Sequence, residues 1–194
     1  MAEPAKRLAT YADLEAVPPH LVAEIIYGAL VTHPRPTPRH AVAANSLGGR
    51  LTPGYQRGEG GPGGWIFMSE PELHLGADIV VPDIAGWKRE RLPSLPNTAY
   101  IETPPDWVCE ILSDSTERYD RNAKREIYAK AGVPYLWLLD PRSRLLEVFQ
   151  LTVGHWLLAA TFVAEDEVRA VPFNDIAFPL SELWPLDTPD FSLT

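Results

Sequence analysis

The sequence predicts an α/β (α+β) fold, a mixed β-sheet flanked by helices on both sides. Three observations carry this. The segment "PDWVCEILS" (105–113) is nearly all apolar, as in a strand buried on both faces. It runs into a helical stretch from about Thr116 to Ala131 and then into a second apolar strand, "YLWLLD". The whole unit, Trp107 to Asp140, has the length of a parallel strand–helix–strand crossover. Finally, strand-like and helix-like segments alternate along the chain instead of segregating.

The elements follow in order. "TYADLEAV" is a short helix with Thr10 as its N-cap. "LVAEIIYGALV" reads as two strands around a turn at Gly28. "TPRHAVAANSLGGRL" is a helix with Pro38 in its first turn and Ala41, Ala44, Leu47 and Leu51 at helical spacing. "GEGGPGG" is a loop: it lacks the Lys-Ser/Thr end of a phosphate-binding loop and leads into strand-like residues. "GWIFMSEPELHL" and "ADIVVPDIAGW" read as paired strands, each broken at a proline. For the helix after "PDWVCEILS", Asp114 and Glu117 have capping-box spacing and Gly132 is the C-cap. "YLWLLD", "LLEVFQL" and "HWLLAATF" are strands, and "LSELWPL" is a short final helix.

Composition bounds the class. With 194 residues, 45% hydrophobic and 22% charged, the chain has the make-up of one globular domain spanning 1–194. No apolar run approaches the ~18–20 residues of a membrane span. The N-terminal segment lacks a signal-peptide core, so a cytoplasmic location is expected. The one cysteine, Cys109, sits in an apolar strand and reads as a buried filler. A net charge of −9 argues against a broad nucleic-acid-binding surface but leaves room for a local basic groove. The prolines cluster at 34–38, 93–105 and 172–189, marking loops and strand ends.

Two acids interrupt apolar strands, Asp83 in "IVVPDIAGW" and Glu110 in "WVCEILS". An unpaired buried carboxylate is costly or neutralises itself by a pKa shift, so Glu110 needs a partner. One candidate is a divalent cation. Mg²⁺ takes hard oxygen ligands, usually one or two protein carboxylates with water and substrate phosphate. The other is Lys124, which shares a helix face with Asp120 and Tyr128 at i, i+4 spacing. A lysine beside a cation-activated water can orient it or stabilise developing phosphate charge.

The ordered set "VPDIAGW", "VCEILSDST" and "DRNAKREIYAKAGVPYLWLLDP" resembles the Uma-type family of restriction endonucleases, within the PD-(D/E)XK nuclease superfamily. "AEIIYGALV" and His40 in "RPTPRH" match the family's opening segment, and the resemblance covers roughly residues 10–150. It implies a restriction-endonuclease-like core and a metal-dependent endonuclease acting on phosphodiester bonds of DNA. Pro82-Asp83 corresponds to the PD element and Glu110 to the acid of the next core strand. The superfamily pattern has lysine at the position of Leu112, and Lys124 on the following helix takes that role. The implied site is Asp83 and Glu110, with the Ile111 backbone carbonyl, holding Mg²⁺ or Mn²⁺. Lys124 positions the water that attacks in line to leave a 5′-phosphate. Glu24 is an additional carboxylate, and His40 and Tyr128 are accessory residues. A homodimer is also implied.

Structural readings stand beside these. Glu110 and Lys124 can be a buried ion pair with no metal. Asp83 can be a turn residue after Pro82. The alternative function is a nuclease-fold protein without turnover, acting as a binding or assembly module. Arg118, Arg121 and Arg125, with Lys88, Arg89 and Arg91, are candidates for a phosphate groove. Phe173, Phe178, Trp184 and Phe191 suggest an apolar patch suited to self-association.

Overall fold

The computed structural model describes residues 7–186. Its centre is a six-stranded sheet of β3 (Trp65–Ser69), β6 (Ile84–Lys88), β8 (Trp107–Ile111), β9 (Tyr135–Asp140), β10 (Leu145–Thr152) and β11 (His155–Val163). The strand order is β11–β10–β9–β8–β6–β3. β8 and β9 are parallel neighbours and the other pairs are antiparallel, so the sheet is mixed as expected. All five residues of β8 are buried, in keeping with its unbroken apolar run.

A second sheet has the order β2–β1–β5–β4–β7. It comprises β1 (Leu21–Ile26), β2 (Ala29–Pro34), β4 (Glu72–Leu75), β5 (Asp78–Val80) and β7 (Tyr100–Ile101). β12 (Glu167–Val168) and β13 (Phe178–Pro179) form a small separate pair. The sequence pairs "GWIFMSEPELHL" with "ADIVVPDIAGW", and the structure keeps that pairing but divides it between sheets. β3 pairs β6 in the central sheet and β4 pairs β5 in the second. The break falls at Glu70-Pro71 on one arm and Val81-Pro82 on the other, where a missing amide cannot serve a ladder.

Alternation along β8 sorts its side chains. Trp107, Cys109 and Ile111 pack with Ala43, Leu47 and Leu51 of helix α2 (Pro38–Leu51) and with Phe173, Phe178 and Trp184. Val108, with Leu112 just past the strand, packs with Ile127, Tyr128, Leu73 and Val80 on the opposite face. Each such fully buried aliphatic contributes roughly 1.5–3 kcal/mol. Glu110 lies on this second face, between Val108 and Leu112. Helix α1 (Tyr11–Glu15) starts from a capping box in which Thr10 and Asp13 bond each other's backbone, as its sequence signals.

Several expectations are corrected. The buried stripe of α2 is His40, Ala43, Leu47 and Leu51, with Ala41 and Ala44 only partly buried. Asp114 and Glu117 form no capping box, because Arg142 binds both carboxylates. The helix over 117–130 is not uniform. It consists of α3 (Glu117–Tyr119), a π-helical turn (Asp120–Lys124) and α4 (Arg125–Lys130), and Gly132 follows with φ +75°. The final helix is a 3₁₀ turn, Leu180–Leu183. Phe173, Phe178 and Trp184 form no exposed patch: they complete the core beneath α2, while Phe191 lies outside the described residues. Cys109 is buried, and burial pushes its thiol well above the usual range. Among the described residues no helix is long and apolar enough to cross a membrane.

Candidate active site

Strand register brings the two acids together. β6 runs antiparallel to β8 with Ile84 opposite Cys109, so one further step sets Asp83 opposite Glu110. Asp83 stands where the chain leaves β5 of the second sheet and enters β6 of the central one. Its Oδ2 accepts the Ile111 amide at 2.7 Å, and its Oδ1 lies 2.6 Å from His40 Nε2. At Ile111 it is the N–H that engages the PD element, by donating to Asp83.

Lys124 comes from the π-helical turn of the rod above the sheet. Such turns insert an extra residue into an α-helix and often occur at functional sites. Its Nζ lies 2.9 Å from Glu110 Oε1, 3.1 Å from Glu24 Oε1 and 3.4 Å from Asp120 Oδ1. It also donates to the Val81 carbonyl at 3.3 Å. Glu24 reaches in from β1, accepts the Val81 amide at 2.7 Å and holds His33 Nε2 at 3.3 Å. Tyr128 donates its hydroxyl to Glu110 Oε1 at 2.5 Å. Glu24, Glu110 and Asp120 are each 1% exposed and Lys124 is 3% exposed, so these charges sit where water screens them little.

The electrostatics follow from burial and from that single ammonium. Burial pushes the Glu110 carboxyl well above its usual range, against the pull of Lys124. Burial likewise raises Asp120. For Glu24 burial acts upward too, but Lys124, His33 and the Val81 amide outweigh it and hold the group at about 2. Burial works to lower Lys124, yet Glu110 and Glu24 keep it well above its ordinary value. Glu24, Glu110 and Asp120 thus surround one lysine, an excess of carboxylates over cations, and Asp83 stands beside them on His40 and the Ile111 amide.

Several of these groups border a partly open cavity of about 150 Å³, lined in part by Asp83, Glu110, Asp120, Lys124, His40 and Arg35. Buried Asp120 Oδ2 and His40 Nδ1 have no hydrogen-bond partner. Among the described residues no three His, Cys, Asp or Glu side chains converge on a common metal position, because the lysine ammonium takes the centre of three carboxylates. Mg²⁺ needs only one or two protein carboxylates. Asp83 and Glu110, the orphaned Asp120 oxygen and the surplus negative charge therefore fit a hard divalent cation.

The structure gathers Asp83, Glu110, Lys124, Glu24, His40 and Tyr128 at one place. It does not gather the arginines into a phosphate groove. Arg121 is bound by Glu117 and Glu147, Arg125 lies over the Phe149 ring, and Arg91 pairs with Asp106. Lys88 is at the opposite end of β6 from Asp83. Sequence reasoning missed His33 and Arg35, and took Asp120 for an ordinary i, i+4 partner. The alternating burial of β2 turns His33 inward, a signal too weak to separate from chance.

Comparison with known proteins bears on the fold and the family. A family model described as "Putative restriction endonuclease", Uma2, matches residues 8–181. The chain is also similar to the crystal structure of a nuclease, titled putative and assigned to DUF820, from Anabaena variabilis. That match has a TM-score of 0.69 at 22% identity and covers 91% of this chain and 97% of the other, which establishes likeness of fold. No curated protein matches the chain. With most of its length matched by the family model, the chain belongs to the Uma2 family of restriction-endonuclease-like proteins.

Proposed function

We propose that this protein is a metal-dependent endonuclease that hydrolyses phosphodiester bonds of DNA. The observation that carries this reading is the contact of Lys124 Nζ with Glu110 Oε1 at 2.9 Å, beside Asp83 on one cavity wall. A nuclease of this kind needs two acids and a lysine together, and here three separate elements supply them.

In this reading Asp83 and Glu110, with the Ile111 carbonyl, hold Mg²⁺ or Mn²⁺, and Asp120 or Glu24 compensates further charge. The bound cation supplies neutralisation of the scissile phosphate and acidification of the attacking water. His40 fixes the Asp83 carboxylate through Oδ1, while the Ile111 amide fixes Oδ2. Tyr128 orients Glu110 from behind. Lys124, held by several acceptors, keeps its ammonium beside the site to orient water and stabilise charge developing on phosphate. In-line attack then leaves a 5′-phosphate.

The test is cleavage of plasmid and oligonucleotide DNA in Mg²⁺ or Mn²⁺ by wild type, Lys124→Ala and Glu110→Gln. Metal-dependent cleavage by wild type that falls at least 100-fold in both variants supports the reading. Equal cleavage by Lys124→Ala overturns it.

One observation favours a second reading, a nuclease fold without turnover that serves as a binding or assembly module. Lys124 is fully engaged by carboxylates and a carbonyl, as a purely structural ion pair would be. Calorimetric titration with Mn²⁺ separates the two, since this second reading predicts no binding that Glu110→Gln abolishes. We also infer a homodimer, supported by the edge of β11, unpaired among the described residues, where Leu157, Leu158 and Val163 are exposed. Light scattering of the purified chain tests it.

A further inference from the structure

The cavity raises a problem of charge that its acids and lysine do not solve. A phosphodiester is an anion, and it must enter beside Asp83, Glu110 and Asp120. Lys124 has three N–H donors and four acceptors around it, namely Glu110, Glu24, Asp120 and the Val81 carbonyl. To serve the attacking water it must give up one of these contacts, the one to Asp120 at 3.4 Å being the longest, and no donor then remains for a flanking phosphate. The cavity, about 150 Å³, is also smaller than the ~300–1,000 Å³ clefts that take whole small-molecule ligands. Only the reacting phosphate and its immediate surroundings fit inside. The rest of the strand must cross the rim.

Arg35 lies on that rim. It sits between Pro34 and Pro36, whose rings fix the local backbone, just before the N-cap Thr37 of α2. Its side chain is 53% exposed. One guanidinium nitrogen reaches Glu70 Oε2 at 3.4 Å and the other donates to the Pro19 carbonyl at 3.2 Å. Glu70 is 40% exposed and lines the same cavity. A long, single-contact, exposed ion pair of this sort is weakly held. Guanidinium prefers the two-pronged contact that a phosphate offers.

Resting on the nuclease reading above, we propose that Arg35 is the substrate-phosphate anchor of this site and that Glu70 is its resting counter-ion. An incoming phosphate takes the place of Glu70 on the guanidinium. Glu70 is then an electrostatic gatekeeper: it holds the arginine in position and weakens binding of anions until a phosphate competes successfully.

The test measures binding without turnover. Fluorescence anisotropy of a labelled single-stranded oligonucleotide is recorded in Ca²⁺ across a salt series for wild type, Arg35→Ala, Arg35→Lys and Glu70→Gln. Arg35→Ala is expected to weaken binding about tenfold and to reduce the slope of log K against log salt by roughly 0.7, the loss of one phosphate contact. Arg35→Lys should restore the slope but not the full affinity. Glu70→Gln should tighten binding several-fold. Unchanged affinity and slope in Arg35→Ala overturn the anchor, and unchanged or weakened binding in Glu70→Gln overturns the counter-ion role. Both side chains are largely exposed, and circular dichroism of each variant verifies folding. If wild type binds neither single- nor double-stranded oligonucleotide, the nuclease reading itself fails. If wild type binds and Arg35→Ala matches it, only the present proposal fails.

Discussion

Glu110 Oε1 receives two donors at once, the Tyr128 hydroxyl at 2.5 Å and the Lys124 ammonium at 2.9 Å. Both donors come from the rod over 117–130, one from its π-helical turn and one from α4. Removing the hydroxyl leaves a buried carboxylate short of one donor while keeping nearly the same volume. Tyr128→Phe is therefore expected to lose about 1–3 kcal/mol of stability. Urea unfolding of the two proteins measures it, and a difference within error would mean that the hydroxyl is not needed there.

Lys124→Met is expected to be more damaging. It leaves Glu24, Glu110 and Asp120 buried without their cation, and breaking one side of such a cluster costs about 3–5 kcal/mol. A divalent cation that binds the vacated carboxylates should stabilise by mass action. The midpoint of thermal unfolding should rise with Mn²⁺ by more in Lys124→Met than in wild type. A scan with and without chelator reads this, and no metal response in either protein counts against the carboxylates as ligands.

Asp83→Asn separates ligation from folding. The amide oxygen can still accept from the Ile111 N–H, so stability should change by no more than about 1–2 kcal/mol. Metal-dependent cleavage should nevertheless drop at least 100-fold, because a negative ligand is lost. Loss of activity explained by unfolding in the circular dichroism spectrum would contradict the assignment.

The acid limb of stability should carry a mark of Glu24. Its folded pKa, about 2, lies below the ordinary carboxylate value of 4.5. A depressed carboxylate contributes stability that is present above the unfolded pKa and disappears as pH falls through the folded one. That contribution is on the order of 3 kcal/mol and should fade between about pH 4.5 and 2. Glu24→Gln should flatten the stability profile in this window, as measured by denaturant titrations at stepped pH.

Glu110 and Asp120 move oppositely, since burial raises both. A raised carboxyl favours the folded state at low pH and loses that advantage as pH rises through its folded pKa. A cation competes with protons for these carboxyls, so Mn²⁺ affinity should rise with pH and binding should release protons. Calorimetry in two buffers of different ionisation enthalpy detects the release. Identical apparent enthalpies would count against it.

Much of this arrangement was legible in the chain. The unbroken apolar character of β8, the i, i+4 spacing of Asp120, Lys124 and Tyr128, and the prolines beside Asp83 each have a local physical cause. Leu112 was legible as a departure, and the structure accounts for it: the side chain is 2% exposed and packs with Ile127 and Tyr128. A lysine there would have to abandon that packing, and the rod delivers its ammonium to Glu110 instead. What local sequence did not disclose depends on distant pairings. Glu24 reaches Lys124 only because β1 joins β5 in a separate sheet, and half-buried His33 reaches Glu24 only because β2 pairs with β1. The π-helical turn has no composition signature, and the C-terminal aromatics gave no hint that their partners lie under α2.

The switch at Val81–Asp83 from one sheet to the other has a mechanical meaning. The Val81 peptide belongs to the cradle of Lys124 and Glu24, while Asp83, two residues on, lines up with Glu110 in the central sheet. The site is a hinge pin between two bodies of structure, complete only when both are seated. A disturbance at the far side of the second sheet that loosened its docking would leave every proposed catalytic residue in the sequence and still dismantle the constellation. Measured activity in this protein should therefore report the seating of one sheet against the other, well before any loss of secondary structure becomes visible.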